Sequence, residues 1–290
     1  RPTRTAPELK GELQPVPAVA SAHLHAPHDV VVYLPPGYDA EGTRRYPVLY
    51  LQDGQNLFDP RTAFIYGQDW RLGETIETLL ARRAIEPLLV VAVANAGALR
   101  LDEYAPSRDA ARGAGGKADL YGRFLVEELK PYIDWRFRTR PGAADTGIGG
   151  SSMGGLLALH LGLTRSDSFG RVAALSPSVW WGHEEIALSI ASLTMKLPLR
   201  VWLDAGTREG PNLLRQVRRV RDQLTAKGWR LNEDFGYLEA RGASHDERAW
   251  GARAGKMLRF LFPPRRSAQR GLWDALAGTE SRIETEGARR

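Results

Sequence analysis

Thr146-Gly147-Ile148-Gly149-Gly150 is a short apolar run, residues 153–163 form a longer one, and Gly150-Ser151-Ser152-Met153-Gly154 joins them. The first run is a strand candidate and the second a helix candidate, separated by length and composition. The junction fits G-x-S-x-G. Glycines two residues either side of a serine let a strand and a helix approach without side-chain clash, and the sharp turn lifts the hydroxyl clear of the sheet. The following helix aims its N-terminus at that hydroxyl, which favours developing negative charge. A phosphate loop is the competing reading, but the chain holds no Gly-Lys-Ser/Thr. Ser152 is therefore the candidate nucleophile.

Outward from this junction the pattern repeats. Residues 29–34, 47–51, 88–93, 172–175, 200–203 and 235–238 read as strands. Leu72, Ile76, Leu79 and Leu80 recur at helical spacing, as do Leu120, Phe124, Leu125 and Leu129, and residues 212–224 and 248–262 read as helices. Alternating strands and helices predict an α/β protein, a mostly parallel central sheet with helices on both faces. Ligands of such sheets bind in the loops at the carboxyl ends of the strands. Residues 1–28, rich in Pro and Ala, read as an irregular N-terminal arm, 29–264 as the catalytic domain, and 265–290 as a polar C-terminal tail. His23, His25 and His28 lie close together in that arm. They lack nearby metal-binding partners, so a solvated approach to the first strand is expected and no metal.

The 290 residues are 43% hydrophobic and 26% charged, an ordinary balance for a globular protein. No apolar run is long enough for a membrane span. The net charge of +6 comes from scattered arginines, without the basic, aromatic-interleaved runs of a nucleic-acid binder. The absence of cysteine excludes disulfides, thiolate metal sites and a cysteine nucleophile. The chain starts at Arg1. A removed leader, with a periplasmic or secreted location, is one expectation and truncation is another. Oligomeric state has no signal in the sequence.

A serine hydroxyl needs a base, and in this class of fold the chain order is serine, acid, histidine. His245, in Arg241-Gly242-Ala243-Ser244-His245-Asp246, follows a strand candidate and precedes the last helix, where the base belongs. His160 lies in the helix after Ser152 and reads as packing, and His183 reads as solvated or at the pocket mouth. Asp204 and Glu209 both follow residues 200–203 and both remain open as the acid, with position favouring Glu209. Asp246 adjoins the base and is poorly placed to orient it. Two backbone N–H donors are expected for an oxyanion, one from Met153 and one from the loop Asp53-Gly54-Gln55.

Tyr33-Leu34-Pro35-Pro36-Gly37-Tyr38, the run from Tyr46 through Leu51-Gln52-Asp53-Gly54-Gln55-Asn56, Gly150-Ser151-Ser152-Met153-Gly154 and Gly206-Thr207-Arg208-Glu209 together resemble an esterase family of α/β-hydrolases. It includes enterochelin and other siderophore esterases, feruloyl esterases, S-formylglutathione hydrolases and antigen 85 mycolyltransferases. The resemblance runs over residues 29–262. It implies the α/β-hydrolase fold, a Ser152–Glu209–His245 triad with the acid after a Gly-Thr pair, an oxyanion donor at the Gln55 N–H, and no cofactor. Ser176-Pro177-Ser178-Val179-Trp180-Trp181 resembles the segment bordering substrate in siderophore esterases.

Trp70, Trp180 and Trp181 are candidates for binding an aromatic or flat acyl group, with core cover as the alternative for each. Arg100 and Arg108 are candidates for anion contact, with a solvated face as the stronger expectation. The expected partner is a small-molecule or glycan-linked ester, attacked through an acyl-enzyme. An acyltransferase on the same machinery and a non-catalytic binding module are the alternatives.

Overall fold

The structure is a computed structural model and describes residues 8–40 and 42–265. In chain order the strands are β1 (Glu12–Val19), β2 (His28–Leu34), β3 (Val48–Gln52), β4 (Leu89–Val93), a two-stranded ribbon of β5 (Arg108–Asp109) and β6 (Ala114–Gly115), β7 (Thr146–Ser151), β8 (Arg171–Leu175), β9 (Arg200–Gly206) and β10 (Phe235–Ala240). The helices are α1 (Leu72–Ala81), α2 (Arg100–Tyr104), α3 (Ala118–Arg123), α4 (Lys130–Arg136), α5 (Met153–Thr164), α6 (Glu185–Ser192), α7 (Pro211–Ala226) and α8 (Glu247–Leu261). A π-helical stretch, Phe124–Leu129, joins α3 to α4. Among the described residues no helix is long and apolar enough to cross a membrane.

Apart from the ribbon, the strands form one eight-stranded sheet in the order β1-β2-β4-β3-β7-β8-β9-β10. β1 and β2 pair antiparallel, as do β2 and β4; every other pairing in it is parallel. This is the α/β-hydrolase fold. The strand order reverses around β3, which lies between β4 and β7, so the loops after β3 and β7 open at the switch point where such sheets bind ligands.

Period-2 alternation divides the core between the two faces. Val48, Tyr50, Val172, Ala174, Val201 and Leu203 pack with α5, α6 and α7, and Leu49, Leu51, Ala173, Leu175 and Trp202 pack with α1 and α8. α5 is apolar on nearly all sides and is buried over most of its length, as a helix against the centre of the sheet must be. Parallel register aligns the strand ends: Ser151 lies opposite Leu175, Leu175 opposite Asp204, and Gly206 opposite Ala240. The loops that leave these ends are therefore neighbours in space.

The expected irregular arm is corrected over part of its length, because Glu12–Val19 forms an edge strand on β2. Pro15 and Pro17 obscure it in sequence, but an edge strand tolerates proline where the missing N–H would face away from the sheet. His28 is also not solvated. It is buried and its Nδ1 lies 2.8 Å from the Ala94 carbonyl. Beyond Arg265 the expected polar tail lies outside the described residues.

Candidate active site

Ser152 follows β7 and caps α5 at φ 55°, ψ −120°, a conformation that non-glycine residues avoid and that neighbours must impose. Its N–H donates to the Leu175 carbonyl (3.0 Å) and its carbonyl accepts from the Ser178 N–H (2.9 Å). A Cβ on Gly150 would lie 2.8 Å from the Gly154 carbonyl carbon, so only glycine permits this crossing of strand and helix. The Ser152 side chain stands at the head of α5. The first N–H groups of that helix, Met153 included, have no carbonyl one turn earlier to bond.

The loop after β10 carries His245. Its Nε2 lies 3.0 Å from Ser152 Oγ and its Nδ1 lies 2.9 Å from Glu209 Oε2. The ring stands edge-on to Trp250, with centroids 4.9 Å apart. Asp246 is the N-cap of α8 and accepts from the Ala249 N–H (2.9 Å), so its carboxylate starts the helix rather than orienting the imidazole.

The Glu209 carboxylate is buried behind His245. Its Oε1 accepts from the Gly206 N–H and from Ser176 Oγ, each at 2.7 Å. Ser176 Oγ in turn accepts from Trp250 Nε1 (3.1 Å) and Arg253 Nη2 (2.7 Å), which leaves its single proton for Glu209. Arg253 Nε donates to Asp204 Oδ1 (3.1 Å), and Trp202 Nε1 donates to Asp204 Oδ2 (2.9 Å). Burial pushes the Asp204 carboxyl up from the usual carboxylate range, while Arg253 and these donors oppose that rise. The two acids that position alone left open thus occupy different levels of one network. Glu209 touches the imidazole; Asp204 lies beneath as the counter-ion of Arg253.

Trp250 and Arg253 escaped the sequence reading, and Ser176, read as part of a segment bordering substrate, lies instead in the network behind Glu209. A signal existed for the arginine: Arg253 shares the inward stripe of α8 with Trp250, Met257 and Leu261, where a cation needs a buried partner.

On the other side of Ser152, Asp53 adopts the left-handed conformation (φ 56°) and opens a 3₁₀ turn, Gly54–Asn56. The turn's own bonding begins with the Asn56 N–H to the Asp53 carbonyl (2.9 Å), which leaves the Gln55 N–H outside it. Gln55 Oε1 accepts from the Asn95 N–H (3.2 Å), and the Gln55 carbonyl accepts from Thr62 Oγ1 (2.8 Å). Asp53 receives Arg100 Nε and Nη2, each at 2.7 Å, and Asn95 Nδ2 at 2.7 Å. The solvated face expected for Arg100 is therefore corrected. β4 neighbours β3, so the loop after one reaches the loop after the other. Arg108 remains exposed, donating to the Gly113 carbonyl (3.1 Å).

The three tryptophans separate. Trp70 is 2% exposed and packs against Trp250, and Trp181 is 1% exposed with Nε1 donating to the Ser107 carbonyl (2.9 Å). Both are buried, Trp70 under α8 and Trp181 beside the β5–β6 ribbon, though Trp70 still borders the space between α1 and α8. Trp180 is 38% exposed, with the Arg112 guanidinium 4.9 Å from its ring centroid. His183 is exposed, and His160 bonds Asp119 at 2.7 Å away from Ser152. A cavity of about 960 Å³ between α1 and α8 is lined by neither Ser152 nor His245.

Comparison with known proteins adds to this geometry. Residues 21–261 match the model of the family described as "Putative esterase". The protein YbbA of Bacillus subtilis is 24% identical over 259 residues, covering 85% of this chain and 97% of that protein. The endo-1,4-beta-xylanase/feruloyl esterase of Xylanibacter ruminicola is 29% identical over 237 residues, 80% of this chain but 29% of that protein. The crystal structure of the enterobactin esterase FES from Shigella flexneri superposes with a TM-score of 0.69 at 21% identity, over 88% of this chain and 59% of that one, a likeness of fold.

Proposed function

The chain belongs to this esterase family and is an ester hydrolase, and from that premise we propose that it is a serine carboxylesterase working through an acyl-enzyme on Ser152. One observation carries the proposal: a single imidazole lies within hydrogen-bond reach of both Ser152 Oγ (3.0 Å) and Glu209 Oε2 (2.9 Å).

In the proposed reaction the His245 Nδ1–H donates to Glu209, which fixes the tautomer and leaves Nε2 as the base. Nε2 takes the Ser152 proton as Oγ bonds to the ester carbonyl carbon, and the carbonyl electron pair moves onto its oxygen. The Gln55 and Met153 N–H groups are the proposed donors to that oxyanion, each a term of about 10²–10³ in rate for this kind of chemistry. The intermediate collapses, and the departing alcohol takes the proton from Nε2. A water molecule, deprotonated by Nε2, then attacks the acyl carbon, and Ser152 leaves with the proton.

A relative named for feruloyl esters favours hydroxycinnamoyl esters, free or linked to glycan, and relatives named for siderophores favour siderophore esters, so these are the two proposed substrate classes. Trp180 supports the hydroxycinnamoyl class by offering a partly exposed indole to a flat aromatic acyl group, while the Arg112 beside it is held by Asp109. Ser152→Ala is expected to lower turnover of a short-chain nitrophenyl ester by at least about a thousandfold while keeping the unfolding midpoint. Full activity in that variant would refute the proposal. A panel of feruloyl sugars, catecholate trilactones and short acyl esters then ranks the substrates.

A further inference from the structure

Granting Ser152 the role proposed above, we infer that Ser178 is a positioning residue for it, donating a hydrogen bond to Ser152 Oγ that aims the nucleophile's own proton at His245. Ser178 lies in the turn after β8 and is 3% exposed. Its Oγ stands 3.2 Å from Ser152 Oγ. The backbone holds it there: its N–H donates to the Ser152 carbonyl (2.9 Å) and its carbonyl accepts from the Trp181 N–H (3.1 Å).

Proton counting sets the direction of the contact. Glu209 as a carboxylate accepts from Nδ1, so Nδ1 carries the proton of the neutral imidazole and Nε2 is an acceptor. Ser152 has one proton and gives it to Nε2. Between the two hydroxyls Ser178 is therefore the donor and Ser152 the acceptor.

Such a donor has two consequences. It holds the Ser152 hydroxyl in the orientation that meets the base. It also faces the negative charge that gathers on Oγ as its proton leaves. No proton leaves Ser178: the Ser152 proton goes to Nε2, the new bond forms from Oγ, and Ser178 stays a neutral hydroxyl throughout.

A fluorophosphonate probe isolates this step. Ser152 Oγ bonds to phosphorus, the P–F bond breaks, fluoride leaves, and the Ser152 proton goes to His245. Ser178→Ala is expected to slow labelling about tenfold and to lower kcat on nitrophenyl esters by a similar factor with KM unchanged. Ser178→Thr, which keeps the hydroxyl, is expected to stay within about threefold of the wild type on both readouts. The inference is overturned if Ser178→Ala labels at the wild-type rate, if Ala and Thr lose equally, or if only KM moves. Turnover surviving in Ser152→Ala would instead defeat the underlying assignment, whatever the Ser178 variants do.

Discussion

Two loops flank Ser152, one after β3 and one after β9, and behind each an aspartate meets an arginine. After β3 the aspartate is Asp53, part of the loop itself, and Arg100 grips it with two bonds of 2.7 Å while keeping a quarter of its side chain in solvent. After β9 the aspartate is Asp204, inside the strand, and it shares Arg253 with Ser176 in a layer that solvent does not reach. The first pair shapes its loop directly. The second reaches Glu209 twice over, directly from Arg253 Nη2 (3.6 Å from Glu209 Oε1) and through a serine hydroxyl whose capacity for hydrogen bonds is filled by Glu209, Trp250 and Arg253. An open pair can lose one member and rehydrate the other; a closed network strands a charge when one member goes.

Arg253→Met breaks the comparison most severely. It leaves Asp204 buried without its counter-ion and is expected to cost about 3–5 kcal/mol in urea unfolding. Adding Asp204→Asn should recover part of that loss. A cost under about 1 kcal/mol would show that the layer does not hold the loop after β9.

Asp53→Asn tests the open pair. Asparagine tolerates the left-handed conformation at that position, so the loop should keep its turn. Arg100 keeps a quarter of its side chain in solvent and the asparagine can still accept hydrogen bonds from it, so the stability loss should be about 1.5–3 kcal/mol, below that of Arg253→Met. Turnover should nevertheless fall about tenfold, because Asp53 sets the position of the Gln55 N–H. Unchanged turnover would remove Asp53 from the account.

The smallest effect belongs to a pair outside both loops. Glu239 on β10 takes two hydrogen bonds from Arg218 (2.8 and 2.7 Å), which hold its carboxyl down at about 2 from the ordinary 4.5. A depressed carboxylate contributes its stability in full above pH 4.5 and loses it as the pH falls toward 2. Glu239→Gln should therefore flatten a small acid-side decline in the unfolding midpoint and leave neutral-pH turnover unchanged. An identical decline in the variant would contradict the assignment.

The sequence yielded the central strands because continuous apolar runs such as Leu89–Val93 have few other uses. It yielded the Ser152 turn because a crossing that close requires glycine. It failed where proximity crosses long stretches of chain. Arg253 lies 77 residues from Ser176 and 49 from Asp204, and no local pattern links them. Arg100 read as solvated for the same reason, its partner being 47 residues earlier. Trp70 and Trp181 read either as pocket walls or as core cover, because burial of a loop residue depends on distant elements; here α8 and the β5–β6 ribbon bury them, with Trp70 still bordering the cavity between α1 and α8. β1 was hidden by two prolines that an edge strand accommodates.

The central claim is that Ser152, served by His245 and Glu209, is the group that becomes acylated. Peptide mapping by mass spectrometry after complete reaction with a fluorophosphonate tests it most directly. The account predicts the phosphonyl group on Ser152, with ester hydrolysis lost in proportion to labelling. Hydrolysis that survives full labelling of Ser152, or inactivation with the adduct on another residue, would contradict it.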